Sequence, residues 1–309
     1  AEPQSAGDML EDCPIADQVI PMDYVIRPDA TLERIWRTDP VTHEEIEEKS
    51  LVAHAPVLIT ARFDDVEEHS QQLEIAYRRA EGWLRLPADR AVLLDARHIV
   101  TLASHGFPAS SANARSLVRY LHDLEAMNHA QIPVSRTTSH LGWQGENGAL
   151  GFLCGCRLVL PSGEIVAPLD GAGGGTRQLI GFFGAAAGDH QIASSIHTQG
   201  SMDEWRRAVK VLRDFPRVLL GFYASFVPPL LQVIQGSNFV LSYWGRTSGG
   251  KTTSLRAAAS VWGCPDEQQP DSLVNSWDCT TVYLERASAV LTGLPVFLDE
   301  SQRAKDART

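Results

Sequence analysis

The sequence lacks any apolar run long enough to span a membrane. A transmembrane helix needs about 18 or more apolar residues in succession, and no stretch of the 309 residues approaches that length. The N-terminal residues do not have a signal-peptide pattern, because they carry acids where a leader would carry bases and an apolar core. We therefore expect no membrane partner and a cytoplasmic location.

Cysteine is scarce. The five cysteines are odd in number and contain no C-x-x-C pair, a pattern typical of reduced cytosolic thiols rather than of a disulfide framework or a zinc site. They are Cys13, Cys154, Cys156, Cys264 and Cys279. We expect neither disulfides nor a structural metal.

The chain also lacks an excess of basic residues. Its net charge is -11, and residues 1–100 hold 21 acids and 10 bases, whereas residues 101–309 hold 17 of each. A strongly basic balance would have indicated a nucleic-acid partner, because phosphate neutralisation dominates such binding. That indication is missing, although a DNA motor needs only a local basic lining, often built from several subunits.

What is present is enough apolar sequence, 44%, for two packed domains. Residues 1–20 are polar and acidic, and we expect a poorly ordered lead-in there. We expect a mixed α+β accessory domain over residues 21–200 and a nucleotide-binding domain over residues 201–309. Because the chain begins with Ala1 rather than Met and stops soon after Glu300, the second domain is expected to be incomplete at its C-terminus.

Short apolar runs between turns predict the strands of the accessory domain, in an antiparallel sheet. The predicted strands are Tyr24–Ile26, Pro56–Ala61, Leu73–Tyr77, Gly82–Leu86, Leu150–Leu153 and Arg157–Leu160. Leu117, Leu121 and Leu124 share one face of a predicted helix over residues 110–128. The acidic run Glu44–Glu48 is interpreted as a solvated loop or the start of a helix.

The pattern changes after residue 170. Gly171–Thr176 is glycine-rich but lacks a Gly-Lys-Thr ending, which favours a flexible loop over a ligand loop. Ser201–Glu204 is a capping box that predicts the start of a helix. This helix has an apolar face and a basic stripe. The basic stripe is interpreted either as a solvated face or as a contact for nucleic acid. The apolar face comprises Trp205, Ala208, Val209 and Leu212, and the stripe comprises Arg206, Lys210 and Arg213.

A phosphate-binding loop follows a second helix, Val218–Ile234, and an apolar run, Phe239–Trp244, that is predicted to be a buried strand. Gly245–Thr252 matches G-x-x-x-x-G-K-[ST] in full. Its glycines let backbone amides converge on phosphate oxygens, and Lys251 opens a helix whose dipole acts on the same phosphates. Thr252 is expected to ligate Mg²⁺. The predicted ATP-binding residues are Gly245, Arg246, Thr247, Ser248, Gly249, Gly250, Lys251, Thr252 and Thr253.

Two acids end a later apolar strand, Val296–Leu298. In a sheet parallel to the strand before the loop, Asp299 would reach the carboxyl edge where ligands bind in α/β folds. Asp299 is expected to hold Mg²⁺ through water, and Glu300 to polarise the attacking water. The predicted catalytic residues are therefore Glu300 and Lys251. A glutamate directly after the metal-binding aspartate favours hydrolysis over transfer to a substrate hydroxyl.

From Trp143 onward the chain resembles the family called domain of unknown function 927, found in replication-type ATPases and predicted helicases of bacteria, phages and mobile elements. The resemblance implies an α/β P-loop NTPase core, AAA+-like or RecA-like, that hydrolyses ATP as a homo-oligomeric ring and translocates on single-stranded DNA. Sensor and arginine-finger residues would then lie beyond Thr309. The resembling residues are Gly142-Trp143, Gly245–Thr253, Ala259–Gly263, Ser276-Trp277 with Thr280, Leu284-Glu285 with Ala287, and Leu298–Glu300.

Three functions stay open at this point. The first is a cytosolic ATPase that acts as a DNA helicase or translocase in the replication of a mobile element or phage. The second is a P-loop phosphotransferase or protein remodeller, and the third is a truncated module that binds nucleotide without turnover. Trp277 and Thr280 either contact nucleic acid or a neighbouring subunit, or Trp277 packs in a core or caps the sheet.

Overall fold

The computed structural model describes residues 4–39, 43–167, 179–184, 187–246 and 248–300. The chain forms two compact units, Ala1–Arg136 and Thr137–Thr309. The division between them lies well before residue 201, where the sequence analysis placed the start of the nucleotide-binding domain; the functional assignment of that domain stays a prediction. The glycine-rich run Gly171–Thr176 lies outside the described residues.

Unit 1 is built mainly from antiparallel strands. Its strands are β1 (Gln4–Ser5), β2 (Val19–Ile20), β3 (Tyr24–Arg27), β4 (Ala30–Thr38), β5 (Glu45–Ala53), β6 (Val57–Asp65), β7 (Gln71–Arg79), β8 (Gly82–Asp89) and β9 (Val134–Thr138), which crosses into unit 2. Its helices are α1 (Ala6–Met9), α2 (Arg90–Leu93), a 3-10 helix (Ile99–His105) and α3 (Ala114–Met127).

Two antiparallel sheets organise these strands. One has the order β3-β4-β5, and the other contains β9, β6, β7 and β8 in that order. The four strands predicted between residues 24 and 86 are all confirmed, as is their antiparallel pairing. Apolar positions of β6 and β7 are fully buried, with Leu58, Ile59 and Ile75 at 0% exposure.

The acidic run Glu44–Glu48 was wrongly interpreted as a loop or helix start, because Glu45–Glu48 form the first half of strand β5. Strand β4 supplies the cations that compensate the acids. Arg34 Nε lies 3.6 Å from Glu47 Oε1, and Arg37 Nε lies 3.1 Å from Glu48 Oε2. Both pairs are diagonal in the register, within reach of long side chains, and opposite charges across an antiparallel pair stabilise it, so this strand is specified by its neighbour rather than by its own composition.

Helix α3 packs on the second sheet through the predicted face. Leu117, Leu121 and Leu124 are 0%, 1% and 0% exposed, which confirms the helix, although it begins at Ala114. The buried Tyr120 hydroxyl on the same helix donates to Val57 O at 2.6 Å. The sheet and the helix therefore enclose one core.

Residues 4–20 differ from the lead-in that we expected. The Gln18 side chain acts as a strand partner for Ile59, donating to its carbonyl at 2.7 Å and accepting from its amide at 3.2 Å. The Asn128 side chain does the same for Val19, at 2.7 Å in both directions. A polar segment is ordered here because buried amides satisfy its backbone, which composition alone does not reveal.

Unit 2 mixes short strands with helices. Its strands are β10 (Gly142–Gln144), β11 (Gly151–Cys154), β12 (Arg157–Val159), β13 (Ile165–Val166), β14 (Ile180–Phe182), β15 (Val274–Ser276) and β16 (Phe297–Asp299). Its α-helices are α4 (Ala187–Ser194), α5 (Met202–Val209), α6 (Pro216–Ala224), α7 (Pro228–Val233), α8 (Lys251–Ala259) and α9 (Thr281–Val290), and its 3-10 helices are Glu146–Gly148 and Lys210–Asp214.

Strands β10 to β13 form an antiparallel meander, which confirms the strands predicted near residues 150 and 157. Trp143 on β10 packs edge-on against Phe152, with ring centroids 5.1 Å apart, and its Nε1 donates to Pro229 O on α7 at 2.7 Å. The helix predicted over Val218–Ile234 forms as two helices, α6 and α7, and the second begins at Pro228. The helix predicted from Ser201 is α5, but the Ser201 side chain makes no capping hydrogen bond.

Candidate nucleotide-binding site

The loop Gly245–Thr252 contains several described residues with positive φ. Gly245 has φ 146°, Ser248 has φ 63° and Gly250 has φ 77°. Left-handed residues of this kind occur in the backbone nests that bind anions. Gly250 is the N-cap of α8, and Lys251 is the first residue of that helix. Thr247 lies outside the described residues.

Lys251 reaches back over the loop. Its Nζ donates to Gly245 O at 3.2 Å and to Arg246 O at 3.0 Å. The ammonium is therefore held against the backbone at the start of the loop. Lys251 and Thr252 are half-buried, whereas Ser248, Gly249, Gly250 and Thr253 are exposed.

Ser254 fixes the first turn of α8. This residue is 7% exposed, and both its amide and its hydroxyl donate to Gly250 O, at 2.9 and 2.8 Å. The carbonyl of Gly250 is thus held along the helix axis while its amide is left facing the loop. Sequence reasoning missed this residue, although a serine four positions after a predicted N-cap is the signal that could have found it.

Asp299 ends strand β16, which pairs in parallel with β15 in the register Ser276↔Asp299. Helix α8 packs against both strands. The pKa of Arg256, on α8, is raised chiefly by its hydrogen bond to Glu267 and in smaller part by the charges of other acids that include Asp299. The structure therefore brings the helix that follows the loop against the strand that carries Asp299.

Glu300 directly follows in a left-handed conformation, with φ 58°. Its amide donates to Asp299 Oδ1 at 2.7 Å, so one carboxylate oxygen of Asp299 orients the backbone of its neighbour. The Glu300 side chain is exposed. Non-glycine residues with positive φ are uncommon, and such strain clusters at functional sites.

The model of DUF927, a domain of unknown function, matches residues 30–309. The chain belongs to this family. The match begins more than a hundred residues before Trp143, where the resemblance began, so unit 1 is also largely part of the DUF927 domain. No curated protein matches the chain.

Among solved structures, the DUF927 chain is similar to one described as SCCmec type IV Cch, an active helicase. The two share 19% sequence identity with a TM-score of 0.54, over 91% of this chain and 48% of the helicase chain. The likeness shows a shared fold. The DUF927 chain spans about half the length of that protein.

The strand predicted before the loop does not form, and that prediction was wrong. Phe239–Trp244 is extended chain without strand pairing, and Val240 and Trp244 are each 91% exposed. Strands β15 and β16 form a sheet of their own, and neither pairs with this segment. An apolar run becomes a strand only where a neighbour accepts and donates its ladder hydrogen bonds, and none is adjacent in the described part of the chain.

Trp277 and Thr280 have structural roles in the DUF927 chain. The Trp277 amide donates to Asp299 O at 2.9 Å, extending the pairing of β15 with β16, and its side chain is 38% exposed. Thr280 is the N-cap of α9, and its hydroxyl accepts from the Tyr283 amide at 3.2 Å. Trp277 therefore helps to position Asp299 through its backbone.

Two further observations concern the described residues alone. No helix among them is both long and apolar enough to cross a membrane. Nor do they contain a cluster of three or more His, Cys, Asp or Glu side chains that could hold a metal ion without another ligand. A Thr252 and Asp299 pair is consistent with the second observation, because Mg²⁺ in nucleotide sites takes few protein ligands and completes its shell with waters and phosphates.

Proposed function

We propose that this DUF927 chain binds ATP with Mg²⁺ through Gly245–Thr252 and supplies the nucleotide site of an ATP-hydrolysing DNA helicase or translocase. One observation carries the proposal. A loop of the P-loop sequence, with left-handed residues at Ser248 and Gly250, leads directly into helix α8, and α8 packs on the strand that ends in Asp299. The residues that we propose to bind phosphate and metal are thus parts of one packed substructure.

The residues present fit a nucleotide. A Cβ at Gly245 or Gly250 would meet no atom within 4 Å, so the space beside the loop is open to a ligand. The amides of Ser248 to Thr253, together with Arg246, Thr247 and the Lys251 ammonium, form the proposed phosphate site. Bound Mg²⁺ would neutralise phosphate charge, held by Thr252 and, through water, by Asp299.

Glu300 is proposed as the base that orients the attacking water. Its side chain is exposed, and its amide donates to Asp299 Oδ1. An acid in this place supports hydrolysis rather than phosphotransfer. Single-stranded DNA as the polymer, and a homo-oligomeric ring as the assembly, are proposed because the solved protein that shares this fold is described as an active helicase.

The test compares two substitutions with a control. Lys251→Ala is expected to abolish binding of a fluorescent ATP analogue, because it removes the charge that faces the phosphates. Glu300→Gln is expected to retain binding and to lose phosphate release. Lys49→Ala, a partly exposed lysine on β5 of unit 1, is the matched control and should change neither.

Each result has a distinct meaning. Unchanged nucleotide binding by Lys251→Ala would refute the site itself. Binding without phosphate release in the unaltered protein would instead identify a module without turnover, and a phosphorylated acceptor in place of free phosphate would identify a phosphotransferase.

A further inference from the structure

A basic segment runs along one edge of unit 2, from the middle of α5 to the start of α6. It contains five bases and, after Glu204, a single acid, Asp214. The bases are Arg206, Arg207, Lys210, Arg213 and Arg217, and all five are exposed. The arrangement is unusual in a chain whose net charge is -11.

Little within the chain neutralises these cations. Arg206 Nη1 lies 3.6 Å from Asp203 Oδ1, and both side chains are well exposed, at 68% and 83%. Among the residues that the structure describes, the other four bases form no ion pair within 4.0 Å. Arg206, Lys210 and Arg213 are spaced four and three residues apart, which places them on one side of the helical segment.

Apolar side chains are exposed beside the bases. Phe215, between the 3-10 helix and α6, is 54% exposed, and Val211 is 61% exposed. Proteins bind single-stranded nucleic acid with aromatic rings set among basic side chains. The nucleobases stack on the rings, and the basic side chains follow the phosphates. If the partner were instead a folded acidic protein, the basic side chains would suffice for binding and an exposed aromatic ring would have no role.

The segment is joined to the helix that follows the phosphate loop. Trp205 Nε1 donates to Ser260 Oγ, at the C-terminal end of α8, at 3.0 Å. Helix α6 packs against α8 as well. The basic segment and the proposed nucleotide site therefore share one rigid element.

We propose that Arg206–Arg217 is a contact surface for single-stranded DNA. The arginine and lysine side chains of the segment bind phosphates, and Phe215 stacks on a nucleobase. This rests on the proposed function, which it deepens by locating the polymer. It explains how an acidic chain can bind DNA: the positive charge is local and clustered.

The experiment measures the affinity of the 309-residue chain for a labelled oligodeoxythymidine as a function of salt. The variant R206Q/K210Q/R213Q removes three phosphate contacts, each worth a slope of about -0.7 in log K against log salt, so the slope should flatten by about 2. Between about 50 and 200 mM salt the unaltered chain should then lose roughly 20-fold more affinity than the variant. Phe215→Ala should lower affinity about fivefold or more with the slope unchanged.

The control is R37Q/R85Q/R97Q, which removes the same charge from exposed arginines of unit 1 that already pair with acids. Its slope should equal that of the unaltered chain. Equal slopes for both triple variants would overturn the proposal, as would competition by polyglutamate as strong as that by DNA. Binding of ATP without any binding of DNA would overturn this surface and leave the nucleotide site standing, whereas loss of ATP binding in Lys251→Ala tests that site alone.

Discussion

Gly250→Ala is the sharpest test of the loop's geometry. Gly250 has φ 77° and ψ 16°, and a Cβ there would meet no atom within 4 Å. The substitution therefore introduces no clash, and its whole effect comes from the backbone conformation. Gly163, in the turn after β12, has φ 84° and equally open surroundings, so Gly163→Ala is a control with the same strain at a place remote in sequence from the loop.

The expected magnitudes separate stability from binding. An alanine in the left-handed region costs about 1–2 kcal/mol, and the lower entropy of the unfolded chain offsets about 0.4–1 kcal/mol of this. Both variants should lose about 1 kcal/mol in the free energy of unfolding, or about 2–4 °C in Tm. If the alanine introduced by Gly250→Ala relaxes toward a helical φ, its amide turns away from the phosphates. Losing one hydrogen bond to a charged group, about 1.5–3 kcal/mol, weakens nucleotide binding by roughly 10- to 150-fold.

Thermal unfolding and titration with a fluorescent ATP analogue measure the two quantities on the same samples. We expect Gly250→Ala and Gly163→Ala to have similar Tm values and very different affinities, with Gly163→Ala binding like the unaltered chain. Equal affinities for both variants would refute the reasoning, because the left-handed residue at the start of α8 would then have no part in binding phosphate.

Two other predictions follow from side-chain contacts in unit 2. Trp205→Phe and Ser260→Ala should each lower the free energy of unfolding by about 0.5–1.5 kcal/mol. The double variant should lose less than the sum of the two, because each single variant already removes the bond from Trp205 Nε1 to Ser260 Oγ. Additive losses in thermal unfolding would contradict the contact. Burial raises the pKa of Cys154 to about 11, whereas Cys156 is exposed. At pH 8 the Cys156→Ser variant should therefore lack one thiol that reacts fast with a thiol reagent, whereas Cys154→Ser should keep it. The opposite order would show that Cys154 is not buried.

Patterns that a segment satisfies by itself were predictable from the sequence. The leucines at 117, 121 and 124 repeat at helical spacing, and the one face that they form is buried. The motif Gly245–Thr252 is local as well, and the structure has positive φ at Gly245 and Gly250 and a helix that begins at Lys251. That this loop binds phosphate stays a prediction.

Features that depend on a distant partner were not predictable. Four glutamates near residue 46 do not look like a strand until Arg34 and Arg37 of the neighbouring strand pair with Glu47 and Glu48. The role of Thr280 as a helix cap was not assigned from the sequence either, and a contact with nucleic acid or a neighbouring subunit stays a prediction. The buried amide of Gln18 likewise acquires its role only where Ile59 runs beside it.

The unpaired segment before the loop has a consequence for nucleotide binding. Without a ladder of strand hydrogen bonds, Phe239–Trp244 is held by single contacts such as that of the Tyr243 hydroxyl, which donates to Arg217 O at 3.4 Å. The start of the loop is then fixed mainly by Lys251, through its bonds to Gly245 O and Arg246 O. The ammonium carries three N–H donors, so a phosphate can accept the third while these two bonds persist, each of which is worth about 1.5–3 kcal/mol because the donor is charged. Nucleotide binding and the position of Gly245 are therefore coupled through one ammonium group.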